Sequence, residues 1–285
     1  MTKTWLNNAA KFMLCAMLST GASQVAAQGF DDDDDDDDGG NWEFFLGAGA
    51  EYEPEYEGSD RYTTEFQPGF QIVYKDRLLI SPQGIGAFIV NQDRLRIQTA
   101  IGYGGGRNES DSPDLAGLGD IDDGAVFAFG AQYDLTRRLA ATVDVEKYFS
   151  GSEGTLVTLG LQTQVPFGVV RGALLPTGVR PEDVTRERGL ALFGGVSVDW
   201  ADTNYNQSFF GISAAQSAAS GLSQFSAGSG FKSVNAEIGF LQPLGKGWGL
   251  TGAIGYSRLL GDAVDSPIVK SRDAVTAELA VGFRF

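Results

Sequence analysis

The 285-residue sequence predicts an all-β fold: a closed antiparallel transmembrane β-barrel of about twelve strands, with ten as the alternative. Three observations carry this prediction. The final stretch, 274–285, alternates without a miss. Val275, Ala277, Leu279, Val281, Phe283 and Phe285 make an apolar face, while Ala274, Thr276, Glu278, Ala280, Gly282 and Arg284 make a small or charged one. Ten further stretches read as strands, and most run to about 10–14 residues, closer to the 9–11 of a tilted membrane-crossing strand than to the 5–6 of a soluble one. No apolar run approaches the roughly 18 residues of a spanning helix.

Residues 1–27 read as a cleaved signal peptide. Lys3 and Lys11 precede or flank a short apolar core at 12–18, and Val25-Ala26-Ala27 supplies the small residues of a cleavage site. The expected mature start is Gln28. Cys15, the one cysteine, lies within that signal, and Leu14 before it does not fit a lipidation site. Residues 28–41 are expected to form a disordered acidic tail around the eight consecutive aspartates at 31–38, since such a block repels itself and buries nothing.

The barrel is expected over 42–285. Trp42, Phe44, Leu46, Ala48, Ala50 and Tyr52 alternate against Glu43, Phe45, Gly47, Gly49 and Glu51. Stretches 62–74 and 78–90 are less regular and meet at a Lys75-Asp76 turn. Leu95 to Tyr103 alternates against Arg94, Arg96, Gln98 and Ala100. After a glycine-rich loop, strands follow at 125–133, 139–149, 157–165 and 190–200, with Asp144 and Glu146 on a polar face. Val234 to Phe240 opposes Asn235, Glu237 and Gly239, and Trp248 to Tyr256 opposes glycine, threonine and alanine. That gives eleven strands. The twelfth is placed in 169–175 or 207–213, because closed bacterial barrels favour an even number. One conflict stands: loops 53–61 and 105–122 belong on one side, yet three strands separate them.

Composition narrows the function. The chain has no histidine, so Ser-His-acid and Cys-His catalysis and the usual zinc ligands are excluded. With 37 acidic against 21 basic residues the net charge is −16, which offers nothing to nucleic acid. No catalytic residue, cofactor or metal site is expected. The inward face holds Glu43, Glu51, Arg94, Arg96, Asp144, Glu146, Glu237, Glu278 and Arg284, charges of both signs that suit a polar lumen filled largely by side chains.

Three loop segments resemble a known family. They are Tyr56-Glu57-Gly58-Ser59; Leu115-Ala116-Gly117-Leu118-Gly119-Asp120-Ile121; and a long tract from Phe209-Phe210-Gly211-Ile212-Ser213 through Gly221 to Asp262, Asp265, Ser266 and Pro267. Together they resemble the MipA/OmpV family, also called MltA-interacting proteins, from about Trp42 to Phe285. The octa-aspartate tract and the long segment 168–188 depart from that pattern. The resemblance implies a non-enzymatic barrel in the outer membrane of a Gram-negative bacterium. For the founding member it implies a scaffold joining a lytic murein transglycosylase to a penicillin-binding protein; other members are osmoregulated proteins or adhesins. The terminal Phe283 and Phe285 resemble the signal that the barrel-assembly machinery reads. Read physically, Gly58, Gly117, Gly119 and Gly221 suit positive φ, and Asp262 and Asp265 flank a turn that Pro267 ends. These loop motifs are expected either to fold back over the barrel mouth or to form a partner surface.

Overall fold

A computed structural model describes residues 42–75, 77–92, 94–170, 173–176 and 190–285. The expected signal peptide, the aspartate tract and most of the segment 168–188 lie outside the described residues.

The strands are β1 (Trp42–Pro54), β2 (Tyr62–Tyr74), β3 (Leu78–Ser81), β4 (Gly84–Asn91), β5 (Leu95–Gly104), β6 (Gly124–Asp134), β7 (Leu139–Tyr148), β8 (Thr155–Val170), β9 (Ala173–Pro176), β10 (Leu190–Ala201), β11 (Gly230–Gly245), β12 (Trp248–Leu259) and β13 (Asp273–Arg284). Every pairing is antiparallel. β13 pairs with β1, and β8 pairs with β10 from Phe167↔Leu190 to Leu156↔Ala201, so twelve strands close a ring. β9 only folds back on the end of β8 and stands outside that ring.

The alternation in the sequence is the cause of this closure. On β1 the outward Trp42, Phe44, Leu46 and Tyr52 are exposed, and the inward Glu51 is buried. The same parity governs β6, β11, β12 and β13, so these strands turn an apolar row to the bilayer and bond their backbone groups to neighbours on both sides. Aromatic rings mark both edges of the apolar band. Trp42 meets Tyr74 at 4.4 Å and Trp248 meets Phe283 at 5.0 Å near the termini, while Tyr52 stacks on Tyr62 at 4.8 Å at the far edge. Phe283 packs edge-on against Phe285, whose N–H donates to the Phe44 carbonyl at 3.0 Å. The C-terminal aromatics therefore sit on the strand that closes the barrel. No helix among the described residues is long and apolar enough to cross a membrane.

The twelfth strand is not where the sequence placed it. Residues 207–213 are helix and loop, and β9 is outside the ring. The apolar run 78–90 instead turns back on itself at Pro82-Gln83, giving two strands. Four strands therefore separate loop 55–61 from loop 105–123, which puts both on one side and removes the conflict. The β3–β4 hairpin is short, so β2 pairs with β3 only at Ile72↔Ile80, Val73↔Leu79 and Tyr74↔Leu78, while its other edge pairs with β1 along all its length. The Tyr74 carbonyl accepts from Arg77 on the β3 side, so Pro68, with the same parity, points its missing N–H at the edge that has no partner strand. Arg94 lies exposed in a turn and is not an inward group.

Candidate functional site

The short connections from β2 to β3, β4 to β5, β6 to β7 and β11 to β12 share the end that holds Trp42 and Phe285. The long connections 55–61, 105–123, 149–154, 202–229 and 260–272 all emerge at the other end, where they pack into one cap across the mouth. It contains three short helices, α1 (Thr203–Phe210), α2 (Ala214–Ser220) and α3 (Gly261–Asp265).

Local sequence explains how each piece is shaped. Asp202 starts α1 by accepting from the Tyr205 N–H at 2.9 Å. Ser213 and Gln216 form a reciprocal capping box on α2, which Gly221 ends at φ 77°. In 105–123 the Glu109 carboxylate accepts from the N–H groups of Gly117 (3.1 Å) and Gly119 (3.0 Å), and Asp120 accepts from the Glu109 N–H at 2.8 Å. Gly117 (φ 82°) must stay glycine for a second reason: a Cβ there would stand 2.8 Å from the Ala219–Ser220 backbone. A Cβ on Gly58 (φ 97°) would likewise meet Val269 at 2.7 Å.

The core of the cap is apolar. Leu115, Phe210 and Ile268 are fully buried, with Tyr56, Leu118, Tyr205, Phe209 and Ile212 around them. Polar contacts stitch the separate loops together. The Tyr56 hydroxyl donates to the Ile268 carbonyl at 2.9 Å, and Ser266 Oγ donates to the Phe210 carbonyl at 2.5 Å. The Arg107 guanidinium donates to the Phe209 carbonyl at 2.8 Å, Gln216 Nε2 to the Leu118 carbonyl at 2.6 Å, and the Gly228 N–H to Asp262 at 2.7 Å. Burial pushes the Tyr56 hydroxyl up to about 12 and pulls the Arg107 guanidinium down to about 10.

The cap is fastened to the wall by Lys232. Asp199 pairs with Ser233 and Trp200 with Phe231, so Lys232 is the extra residue of a β-bulge that turns its side chain inward. Its ammonium donates to Glu57 in the first loop, stands 3.9 Å from Asp199 and lies 5.6 Å from the Tyr205 ring centre. Below it Asp199 accepts from Thr158 (2.7 Å), Ser233 (2.7 Å) and Asn235 (3.0 Å), and Glu146 accepts from Tyr148 at 2.6 Å.

All the loop motifs singled out in the sequence thus converge on one structure. Tyr56, Ser59, Leu118, Phe210, Gly211 and Ser266 are buried in it, whereas Gly119, Asp120, Gly221, Asp262 and Asp265 lie at its surface. Asp262 and Asp265 belong to α3, which replaces the expected turn, and Ser266 ends it before Pro267. Sequence reading missed Arg107, Tyr205, Lys232 and Ile268. The Asp202 and Ser213–Gln216 cap signals could have revealed the helices; nothing local marks Lys232, because a bulge depends on the partner strand.

The inward charges fall into pairs near the terminal end, Glu43 with Arg284 at 3.6 Å and Arg96 with Asp134 at 3.2 Å, and a carboxylate-rich middle. The chemistry of this arrangement is closure of one mouth above a polar lumen.

Several solved structures match the chain at a distance. The KdgM porin is 7% identical, with 85% of this chain and 99% of that one covered at a TM-score of 0.38. The NanC porin is 9% identical, covering 84% and 98% at 0.39. A structure titled bacterial polysaccharide outer membrane secretin is 10% identical, covering 85% and 98% at 0.43. No curated protein matches the chain. The family model described as MltA-interacting protein MipA matches residues 46–285, nearly all of the described barrel and its cap. This closed barrel of the outer-membrane type belongs to the MipA family.

Proposed function

We propose that the protein is a non-enzymatic outer-membrane scaffold that presents its terminus-side end to murein-remodelling enzymes, a lytic transglycosylase and a penicillin-binding protein. The observation that carries this reading is the cap. The motif segments are consumed in packing against one another at the loop end, so they are poorly placed to serve as a docking surface. Outer-membrane barrels turn short connections to the periplasm and long ones outward. On that rule the termini and the short turns face the murein layer, and the family description names MltA as the partner of its namesake. The same cap weighs against the second reading, an osmoregulated diffusion channel, although the polar lumen favours it.

The test is co-purification from detergent-extracted outer membranes with a tagged full-length chain. Capture of a lytic transglycosylase is expected, and it should survive Asp120→Asn and Asp265→Asn at the surface of the cap. Capture of neither enzyme would sink the scaffold reading; conductance steps in planar bilayers would favour the channel.

A further inference from the structure

The two ends of the barrel carry opposite charge. The long connections that build the cap hold thirteen acidic residues against four basic ones. The four short connections at the other end reverse this, with Lys75, Arg77, Arg94, Arg137, Arg138 and Lys246 against Asp76 and Asp93. All six basic residues are exposed. Among the described residues no ion pair reaches Lys75, Arg77, Arg94, Arg137 or Lys246. The inward arginines of this end, Arg96 and Arg284, are already paired with Asp134 and Glu43.

These basic residues flank the point where the eight aspartates join the barrel. Trp42 pairs with Tyr74, and the Lys75 ammonium lies 5.4 Å from the Tyr74 ring centre, so the β2–β3 connection stands on one side of that point. On the other side, across β13, Phe283 pairs with Trp248 and the Arg284 N–H donates to the Gly247 carbonyl at 2.8 Å, next to Lys246. Only Gly39, Gly40 and Asn41 separate Asp38 from Trp42. At about 3.6 Å per extended residue, Asp38 stays within about 14 Å of Trp42 and Asp31 within about 40 Å. The tract can reach the basic connections, and the barrel wall stands between it and the acidic cap.

Eight consecutive carboxylates repel one another. At physiological salt, charges much more than about 8 Å apart are screened, so the acidity of the cap counts for little here and the nearby basic groups decide. Each exposed ion pair alone is weak. The short tether, however, holds the tract at an effective concentration on the order of millimolar and lets several pairs form together. We propose that the Asp31–Asp38 tract folds back across the short connections of its own barrel and occupies their basic residues, a built-in anionic ligand that any outside anion must displace. This contact does not rest on the scaffold reading and stands if no murein enzyme docks at this end.

Binding of a dye-labelled octa-aspartate peptide to the full-length chain in micelles of an uncharged detergent, followed by fluorescence anisotropy, tests it. A variant with all eight aspartates, Asp31 to Asp38, changed to asparagine should bind the peptide saturably. Wild type should bind it at least about tenfold more weakly, because the tethered tract competes. Adding Lys75→Gln, Arg77→Gln and Lys246→Gln to the asparagine variant should remove most of the binding. Salt at about 1 M, where the screening length falls to about 3 Å, should do the same. Lys270→Gln, in the cap, should change nothing. Unboiled gel migration shows whether each variant keeps its barrel; if the combined variant does not, Arg77→Gln alone should still weaken binding. Equal binding by wild type and the asparagine variant, no saturable binding by the latter, or indifference to the substitutions in the short connections would overturn the proposal. So would peptide binding that vanishes when phosphatidylglycerol is added to the micelles, which would assign these basic residues to lipid headgroups.

Discussion

The wall and the cap follow opposite burial rules within single strands. On β6 the inward face reads Val126, Ala128, Gly130, Gln132 and Asp134 from the loop end downward: apolar beneath the cap, polar below it. On β12 the inward Leu259 is buried under the cap, whereas Ser257 and Gly255 face the lumen. Parity never changes along these strands. What changes is the surroundings, because above the tyrosine belt the barrel interior is a protein core, and within the bilayer the apolar medium lies outside. The difference teaches that pattern fixes which way a residue points, while height along the barrel fixes what it should be made of.

The largest effect expected is inside the cap. Phe210 is fully buried, so Phe210→Ala leaves a cavity and should cost about 3–5 kcal/mol of cap stability. Protease cleavage within 202–229 should accelerate while the unboiled band keeps its mobility. Loss of that band would mean that cap and wall fold as one unit, and the comparison would break.

The wall should respond next, and only on one face. Ile254 points into the bilayer and is 57% exposed, so Ile254→Arg should cost about 2–4 kcal/mol if it sits near the midplane. Ala253→Ser, its inward neighbour, should cost little. Urea unfolding of the barrel in lipid vesicles measures both; equal costs would contradict the assignment of faces.

A smaller effect is expected where the two regions join. Glu57→Gln removes the charged partner of Lys232 but leaves Asp199 near its ammonium, so a loss of about 1.5–3 kcal/mol is expected, the range for a hydrogen bond to a charged group. Faster proteolysis of loop 55–61 would report it.

These regions also differ in how much of them the sequence disclosed. β1, β6, β11, β12 and β13 were legible because each strand meets lipid on one side and the lumen on the other, and both contrasts appear as a period of two. β3 and β4 were not. Leu78-Leu79-Ile80 and Ile85 read as one apolar run, and the Pro82-Gln83 turn between them looks like an irregularity. The cap was legible only as motifs. Its glycines announced positive φ, and four of them adopt it, but contacts such as Tyr56 with Ile268 join residues more than two hundred positions apart. No local pattern encodes such a pairing.

Tyr56 gives the finest separation of cap from wall. Tyr56→Phe removes the hydroxyl that donates to the Ile268 carbonyl and should cost about 0.5–1.5 kcal/mol near neutral pH. Burial raises this hydroxyl from 10.0 to about 12 in the folded protein. Between those values the unfolded chain gives up its proton and the folded cap does not. The stabilisation is therefore fully present below about pH 10 and is lost as the pH rises through about 12. Arg107 works the other way, since burial lowers its folded value to about 10 and the unfolded chain then holds more protons. A wild-type alkaline profile would mix the two. The difference between wild type and Tyr56→Phe removes most of the Arg107 contribution, because both proteins carry it. That difference, followed by protease protection of the cap from pH 9 to 12, should shrink steadily. A constant difference would mean that Tyr56 is not buried as the cap requires.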